Sequence, residues 1–161
     1  MPNKLKHLDA LQGLNLEPSD WLTVDQKMID EFGDLTLDQD PFHQNPEWAS
    51  LNSPFGSTIA YGFLTMSLLS HFQKSAFTKS MSQIGEALST VGMPINYGFD
   101  KLRFIAPVPA GSRIRGVFKI QRYEVRPDGA IAMHVGCVVE IEDHARPALA
   151  GDWIFLLATA E

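Results

Sequence analysis

Regular alternation of apolar and polar residues in the second half of the chain predicts antiparallel β-strands. The clearest case runs from Ile131 to Ile141, where every second residue is apolar. The turn Pro127-Asp128-Gly129 precedes this segment and is typical of a hairpin. The strands predicted in this way cover residues 96–105, 112–125, 131–141 and 148–158.

The first half of the chain has the spacing of helices instead. Apolar residues between Ile59 and Phe77 cover most of the circumference of one helix, which is typical of a helix surrounded by protein. Thr23 and Gln26 have the spacing of a capping box, so a second helix is expected to begin there and to end near Gly33. Shorter helices are predicted over residues 5–11, 46–49 and 81–88, and a polar loop over residues 34–45.

Helices followed by an antiparallel meander indicate the α+β class, here a curved sheet wrapped around one buried helix. The length of 161 residues predicts a single domain that spans residues 1–161. A small sheet of this kind leaves an edge strand open. We therefore expect a homodimer or a higher homo-oligomer in which edges pair between chains.

Charge and cysteine content narrow the function. The net charge of −6 argues against nucleic acid as a partner, because nucleic-acid binding uses many Lys and Arg contacts to phosphate. The apolar stretch from Ile59 to Phe77 is interrupted by polar residues too often to span a bilayer, and residues 1–16 lack the apolar core of a signal peptide. Cys137 is the single cysteine and cannot form an internal disulfide. These features predict a cytoplasmic protein without a membrane partner.

Asp38 and His43 are the first candidates for chemistry, five residues apart on a loop that contains Pro41. A histidine beside a carboxylate is a common means of moving protons near neutral pH. Helix-capping aspartates on a solvated loop would explain the same residues. Aspartates with a histidine could also bind a metal, but no further ligand cluster follows, and we expect none.

Gly62 is the second candidate, because it lies near the start of the predicted buried helix. Backbone N–H groups at a helix start lack partners, and a glycine lets a ligand oxygen approach them closely. Close packing of the helix on the sheet would explain this glycine equally well. Lys101 and Arg103 share one strand face, which is either a solvated surface or a site for an anion.

Three motifs in this order resemble those of the MaoC-like dehydratases, the family of (R)-specific enoyl-CoA hydratases, and among them the nodulation protein N-like proteins. The resemblance covers residues 21–155. The motifs are Asp38-x-Asp40-Pro41-x-His43, Phe55-Gly56-x-x-Ile59-Ala60-x-Gly62-x-Leu64-Thr65 and Arg103-Phe104-x-x-Pro107-Val108-x-x-Gly111. This chain departs from the family pattern at Leu37, Asp40 and Tyr61, where the family has glycine, asparagine and histidine.

The resemblance implies a hot dog fold, an antiparallel sheet around one long helix, and the reversible addition of water to a trans-2-enoyl thioester. The thioester is carried by coenzyme A or by an acyl carrier protein, and no cofactor is expected. By matched position, Asp38 and His43 are the catalytic pair and the Gly62 N–H binds the thioester carbonyl. Ser70 matches a serine that lines the family's site.

On this interpretation the buried helix also forms the wall of an acyl tunnel. Phe63 and Met66 are the candidates for that wall, and Lys101 and Arg103 are candidates to hold the phosphates of coenzyme A at its mouth.

Two other functions remain open. Hot dog proteins include acyl-CoA thioesterases, which generally use a carboxylate on or near the central helix. No Asp or Glu occurs between Gly56 and Gln83, which counts against that class. A non-catalytic subunit that binds acyl thioesters is the other alternative, and the departures at Leu37, Asp40 and Tyr61 favour it.

Overall fold

A five-stranded antiparallel sheet packs against helices from the first half of the chain. The computed structural model describes residues 2–90 and 93–157. Its helices are α1 (Pro2–Leu11), α2 (Gln26–Thr36), α3 (Pro41–Gln44), α4 (Pro46–Asn52), α5 (Gly62–Ser67), α6 (Leu69–Lys79) and α7 (Met81–Thr90). Its strands are β1 (Leu22–Val24), β2 (Pro94–Phe104), β3 (Ser112–Val125), β4 (Ile131–Ile141) and β5 (Leu149–Leu157). The predicted α+β class is confirmed.

The strands lie in the order β1-β3-β4-β5-β2, and the alternation in the sequence decides which face each side chain takes. Ile114, Phe118 and Ile120 of β3 are buried against the helices, whereas Lys119 is exposed on the opposite face. β3 and β4 have the bounds that the period of two predicts. The predicted end of the last strand, Ala158, lies outside the described residues.

The buried helix is shorter than predicted and has a break. It begins at Gly62 rather than Ile59, because the N–H of Ile59 donates to the Phe42 carbonyl and the N–H of Ala60 to the Val108 carbonyl. Leu68 separates α5 from α6, although its N–H and carbonyl keep the helical hydrogen bonds. No helix within the described ranges is long and apolar enough to cross a membrane.

The predicted capping box was wrong. Thr23 belongs to β1, where it pairs with Arg113, so its hydroxyl does not begin a helix. Asp25 caps α2 instead, and its carboxylate accepts a hydrogen bond of 2.8 Å from the N–H of Met28. Gly33 lies inside α2 rather than at its end. The predicted polar loop also contains one short helix, α3.

Leu37 ends α2 in the left-handed conformation, with φ of 60° and a side chain that is 87% exposed. A side chain with a Cβ is strained there, and this is the position at which the resembling family has glycine. Leu37→Gly is therefore expected to raise the free energy of unfolding by about 1 kcal/mol, measured by urea denaturation. Leu37→Ala is the matched control, because it removes the side chain but keeps the Cβ. Equal stability of the two variants would contradict the backbone explanation.

Candidate active site

α3 is the element that carries His43, and its own sequence explains why it forms. Asp40 is the N-cap, with its carboxylate 2.8 Å from the N–H of Phe42, and Pro41 occupies the first helical position. Aspartate caps a helix as well as the asparagine of the family motif does. The departure at Asp40 therefore preserves the local structure of this segment.

The imidazole of His43 has a defined tautomer. Its Nδ1 lies 2.7 Å from the carbonyl oxygen of Ile59. A carbonyl only accepts hydrogen bonds, so Nδ1 carries the hydrogen and the lone pair of the neutral ring is on Nε2. No residue of the described ranges forms a hydrogen bond with Nε2. His43 is half-buried and presents a nitrogen that can take up a proton.

Gln26 fixes the main chain of His43 by a hydrogen bond. Its side-chain amide nitrogen donates to the His43 carbonyl at 2.7 Å and to a carboxylate oxygen of Asp30 at the same distance. The amide oxygen of Gln26 accepts a hydrogen bond from the hydroxyl of Thr58. Gln26 thus braces α3 against α2 and the segment before α5, a role that the local sequence pattern did not indicate.

Gly62 and His43 border the same cavity, which has a volume of about 310 Å³. Gly62 is the first residue of α5, and its N–H has no acceptor within the described ranges. A Cβ at Gly62 would lie 3.1 Å from ring carbons of Phe104, so the glycine keeps this wall open. The other lining residues are Ile59, Ala60, Thr65, Phe104, Ile105, Ala106, Pro107, Val108 and Ala148.

Tyr61 directly precedes Gly62 and is buried, with 4% of its surface exposed, and it does not itself border the cavity. Its ring packs against that of His43, with 3.8 Å between the ring centroids. Its hydroxyl donates a hydrogen bond to the main-chain carbonyl of Asp38. Burial raises the pKa of Tyr61, and the nearby carboxylates of Asp38 and Asp40 act in the same direction. The hydroxyl therefore remains a neutral donor.

Asp38 follows the left-handed turn at Leu37, and its N–H donates to the carbonyl of Gly33 at 3.0 Å. Its side chain is exposed and does not border the cavity. The structure therefore brings Asp38 and His43 to the same residue, Tyr61, but only His43 reaches the cavity wall. The catalytic role of Asp38 stays a prediction.

The predicted tunnel residues lie elsewhere. Ser70 is exposed on α6, Phe63 is 64% exposed and packs edge-on against Phe104, and Met66 is half-buried against the core. None of the three borders the cavity, whereas Thr65 and Phe104 do. Thr65 could have been found, since it follows Gly62 by three residues and so lies on the same helix face.

Lys101 and Arg103 border a second depression, of about 450 Å³, on the sheet face opposite the core. Lys119 of β3 lies there too, and none of these three cations forms an ion pair with a described carboxylate. Ile105 borders both this depression and the cavity of His43. Asp152 also borders the depression, where its carboxylate accepts a hydrogen bond of 2.8 Å from Gln121, so the three cations still leave a net positive charge that can attract an anionic group.

Metal and thiol chemistry find no support in the described parts of the chain. No group of three or more His, Cys, Asp or Glu side chains within residues 2–90 and 93–157 is arranged to hold a metal ion. Cys137 is buried, and burial raises the pKa of its thiol to about 12. The thiol therefore stays protonated, as expected for a residue of the core.

Comparisons with known proteins agree with this architecture. The model of the MaoC-like domain family matches residues 9–140. Nodulation protein N of Rhizobium leguminosarum bv. viciae is 43% identical over 145 residues, which cover 90% of this chain and 85% of that protein. The 3-hydroxyacyl-thioester dehydratase Z of Mycobacterium tuberculosis (strain H37Rv) is 37% identical over 147 residues, 91% of each chain.

A solved structure gives the fold. The (R)-hydratase from A. caviae involved in PHA biosynthesis superposes with a TM-score of 0.69 at 18% identity, over 91% of this chain and 96% of that one. The predicted hot dog fold is thereby confirmed. With a family model that matches most of its length and relatives of about 40% identity, this chain belongs to the MaoC-like dehydratase family.

Proposed function

We propose that this protein adds water reversibly to the double bond of a trans-2-enoyl thioester of coenzyme A and gives a 3-hydroxyacyl thioester. One observation carries the proposal: Nε2 of His43 and the N–H of Gly62 have no hydrogen-bond partner among residues 2–90 and 93–157, and both residues border one cavity. A base and an oxyanion donor on one cavity are the two groups that hydration requires.

In the proposed reaction, the oxygen of water bonds to the β-carbon of the enoyl group while His43 Nε2 takes one water proton. The electron pair of the double bond moves onto the thioester oxygen, and the N–H of Gly62 stabilises that developing negative charge. His43 Nε2 then returns this proton to the α-carbon on the same face, which restores the thioester carbonyl and leaves the imidazole neutral again. The reverse sequence dehydrates the 3-hydroxyacyl thioester.

The proposed role of Asp38 is to orient the attacking water. Its main chain is attached to the site through Tyr61, and an ionised carboxylate accepts hydrogen bonds from water. The side chain of Asp38 is exposed and does not border the cavity, so this role requires its carboxylate to turn towards His43 when a substrate binds.

The direct test is hydration of crotonyl-CoA by the purified protein, followed as loss of enoyl-thioester absorbance. The proposal expects this loss without release of free thiol. Release of thiol from acyl-CoA would instead identify a thioesterase. Binding of enoyl-CoA with neither reaction would identify a non-catalytic thioester-binding protein. Either result would overturn the proposed hydratase activity.

The cationic depression is proposed to hold the phosphates of coenzyme A, since Lys101 and Arg103 are joined there by Lys119. Lys101→Ala is expected to raise the KM for crotonyl-CoA by roughly two- to fivefold with kcat unchanged, since one exposed ion contact is lost. The effect should shrink at high salt. Lys74→Ala, at an exposed lysine on α6, is the matched control. An unchanged KM in Lys101→Ala would contradict this assignment.

A second copy of the chain is proposed to pair with β2. This strand is one edge of the sheet and leaves Ile95 and Tyr97 50% and 56% exposed, whereas the other edge, β1, has only three residues. Light scattering should give at least twice the 17.9 kDa of one chain, and Ile95→Lys should lower that mass. Leu51→Lys on α4 is the control for a new exposed charge. A monomeric wild-type protein would exclude this pairing.

A further inference from the structure

We propose that Tyr61 is a positioning residue for the proposed hydration, and that Gly33 is present because only a glycine leaves room for the Tyr61 hydroxyl to reach the main chain of Asp38. The inference rests on the proposed function, because it assigns a role within the same site.

Tyr61 contacts both members of the proposed catalytic pair with one side chain. Its ring packs on the imidazole of His43 with an angle of 31° between the planes, and its hydroxyl donates to the Asp38 carbonyl. The ring of Phe32 also packs against the Tyr61 ring, with 5.4 Å between the ring centroids, and so restricts movement of the tyrosine. The distance between the Asp38 main chain and the His43 ring is therefore set through a buried, rigid side chain.

Gly33 provides the space for this contact. A Cβ at this position would lie 2.3 Å from the Tyr61 hydroxyl oxygen, 2.5 Å from the side-chain amide nitrogen of Gln44 and 3.0 Å from the carbonyl oxygen of Asp38. Gly33 is buried inside α2, where glycine is less favourable than alanine by about 1 kcal/mol. The close approach of the hydroxyl explains why a glycine occupies a helix interior that it destabilises.

Tyrosine also changes the chemistry of this position relative to the family's histidine. A histidine at this position could gain or lose a proton near neutral pH. Tyr61 keeps its hydrogen there, because burial and the carboxylates around it raise its pKa. The support that it gives to Asp38 is thus independent of the protonation of His43.

The test begins with Tyr61→Phe, which keeps the ring against His43 and removes the hydroxyl. We expect kcat for crotonyl-CoA to fall by about 10- to 10²-fold while KM stays within about twofold, since the reacting groups are misplaced but the substrate contacts remain. Gly33→Ala should lower kcat at least as much, because its methyl group displaces the Tyr61 hydroxyl and also crowds the side-chain amide of Gln44. Gly85→Ala in α7 is the matched control, since its Cβ would meet only the side chain of Met81.

The double variant separates positioning from general destabilisation. Removing the hydroxyl relieves the closest contact of the Gly33→Ala methyl group, and the remaining close side-chain atom, the Gln44 amide nitrogen, ends a flexible side chain that can turn away. The double variant should therefore lose less activity than the product of the two single losses. Additive losses, or a wild-type kcat in Tyr61→Phe, would overturn the proposal. Circular dichroism identifies any variant that fails to fold. If one of the two single variants does not fold, the kcat of the other is compared with that of Gly85→Ala, and this comparison decides whether the positioning role holds.

A measurement without turnover keeps this inference distinct from the proposed function. Hydrogen exchange by NMR should be faster at the amides of Asp38 and His43 in both single variants, because the segment loses its support. Unchanged exchange would overturn the positioning role even in an active enzyme. Faster exchange in a protein that hydrates no enoyl thioester would overturn the proposed function and leave the support by Tyr61 intact.

Discussion

Replacing His43 with glutamine is expected to lower kcat for enoyl-thioester hydration by about 10²–10⁴-fold, the usual contribution of a positioned general base. The amide group of glutamine can still donate to the Ile59 carbonyl as Nδ1 of His43 does, but it has no basic nitrogen to accept the proton of water. Asp38→Asn should lose activity to a similar extent, since asparagine replaces the carboxylate that is proposed to orient the water. Initial rates with crotonyl-CoA give the measurement.

Two controls show whether the loss of activity is specific to the proposed catalytic pair. His144→Gln alters an exposed histidine whose ring, among the described residues, contacts the main chain of Arg146 through Nδ1, so its rate should match that of the wild type. Circular dichroism and urea midpoints should show that both active-site variants remain folded, since neither residue belongs to the buried core. Wild-type rates in His43→Gln and Asp38→Asn would refute the proposed mechanism.

The strands β3, β4 and β5 could be predicted from the sequence because alternate residues along them are buried. Phe118 and Cys137 pair across β3 and β4, and the whole alternating pattern follows from that burial. The start of the second helix could not be predicted in this way. Thr23 has the side chain of a cap, but pairing with Arg113, 90 positions away, draws it into the sheet.

Residues of the candidate site that lie within short sequence motifs could be proposed from the sequence. Those that are held there by contacts between residues far apart in the sequence could not. His43 and Gly62 lie in two motifs of the resembling family, and they do meet at one cavity. The brace from Gln26 to Thr58 joins residues 32 positions apart and has no local signature. Ser70 failed to reach the cavity because the rotation of α6, which its spacing alone does not determine, leaves it exposed.

Gly62 allows a test of the oxyanion donor that leaves the helix in place. Gly62→Pro is expected to lower kcat by about 10²–10³-fold relative to Gly62→Ala, the usual effect of removing one such donor. Proline is tolerated at the first position of a helix, where its missing N–H breaks no helical hydrogen bond. The preceding residue, Tyr61, has φ of −58° and ψ of 137°, which is the conformation favoured before a proline.

Gly62→Ala is the matched control because both variants add a Cβ that meets the ring of Phe104, while alanine retains the N–H. Any loss of activity caused by a narrower cavity is therefore the same in both variants. The difference between their kcat values then measures the hydrogen bond from the Gly62 N–H to the thioester oxygen. That difference should appear in kcat more than in KM, because negative charge develops on the oxygen only as the transition state is reached and not in the bound substrate. Equal kcat values in the two variants would mean that the helix-start amide does not bind the thioester, and the base at His43 would then have to act with a donor from another segment.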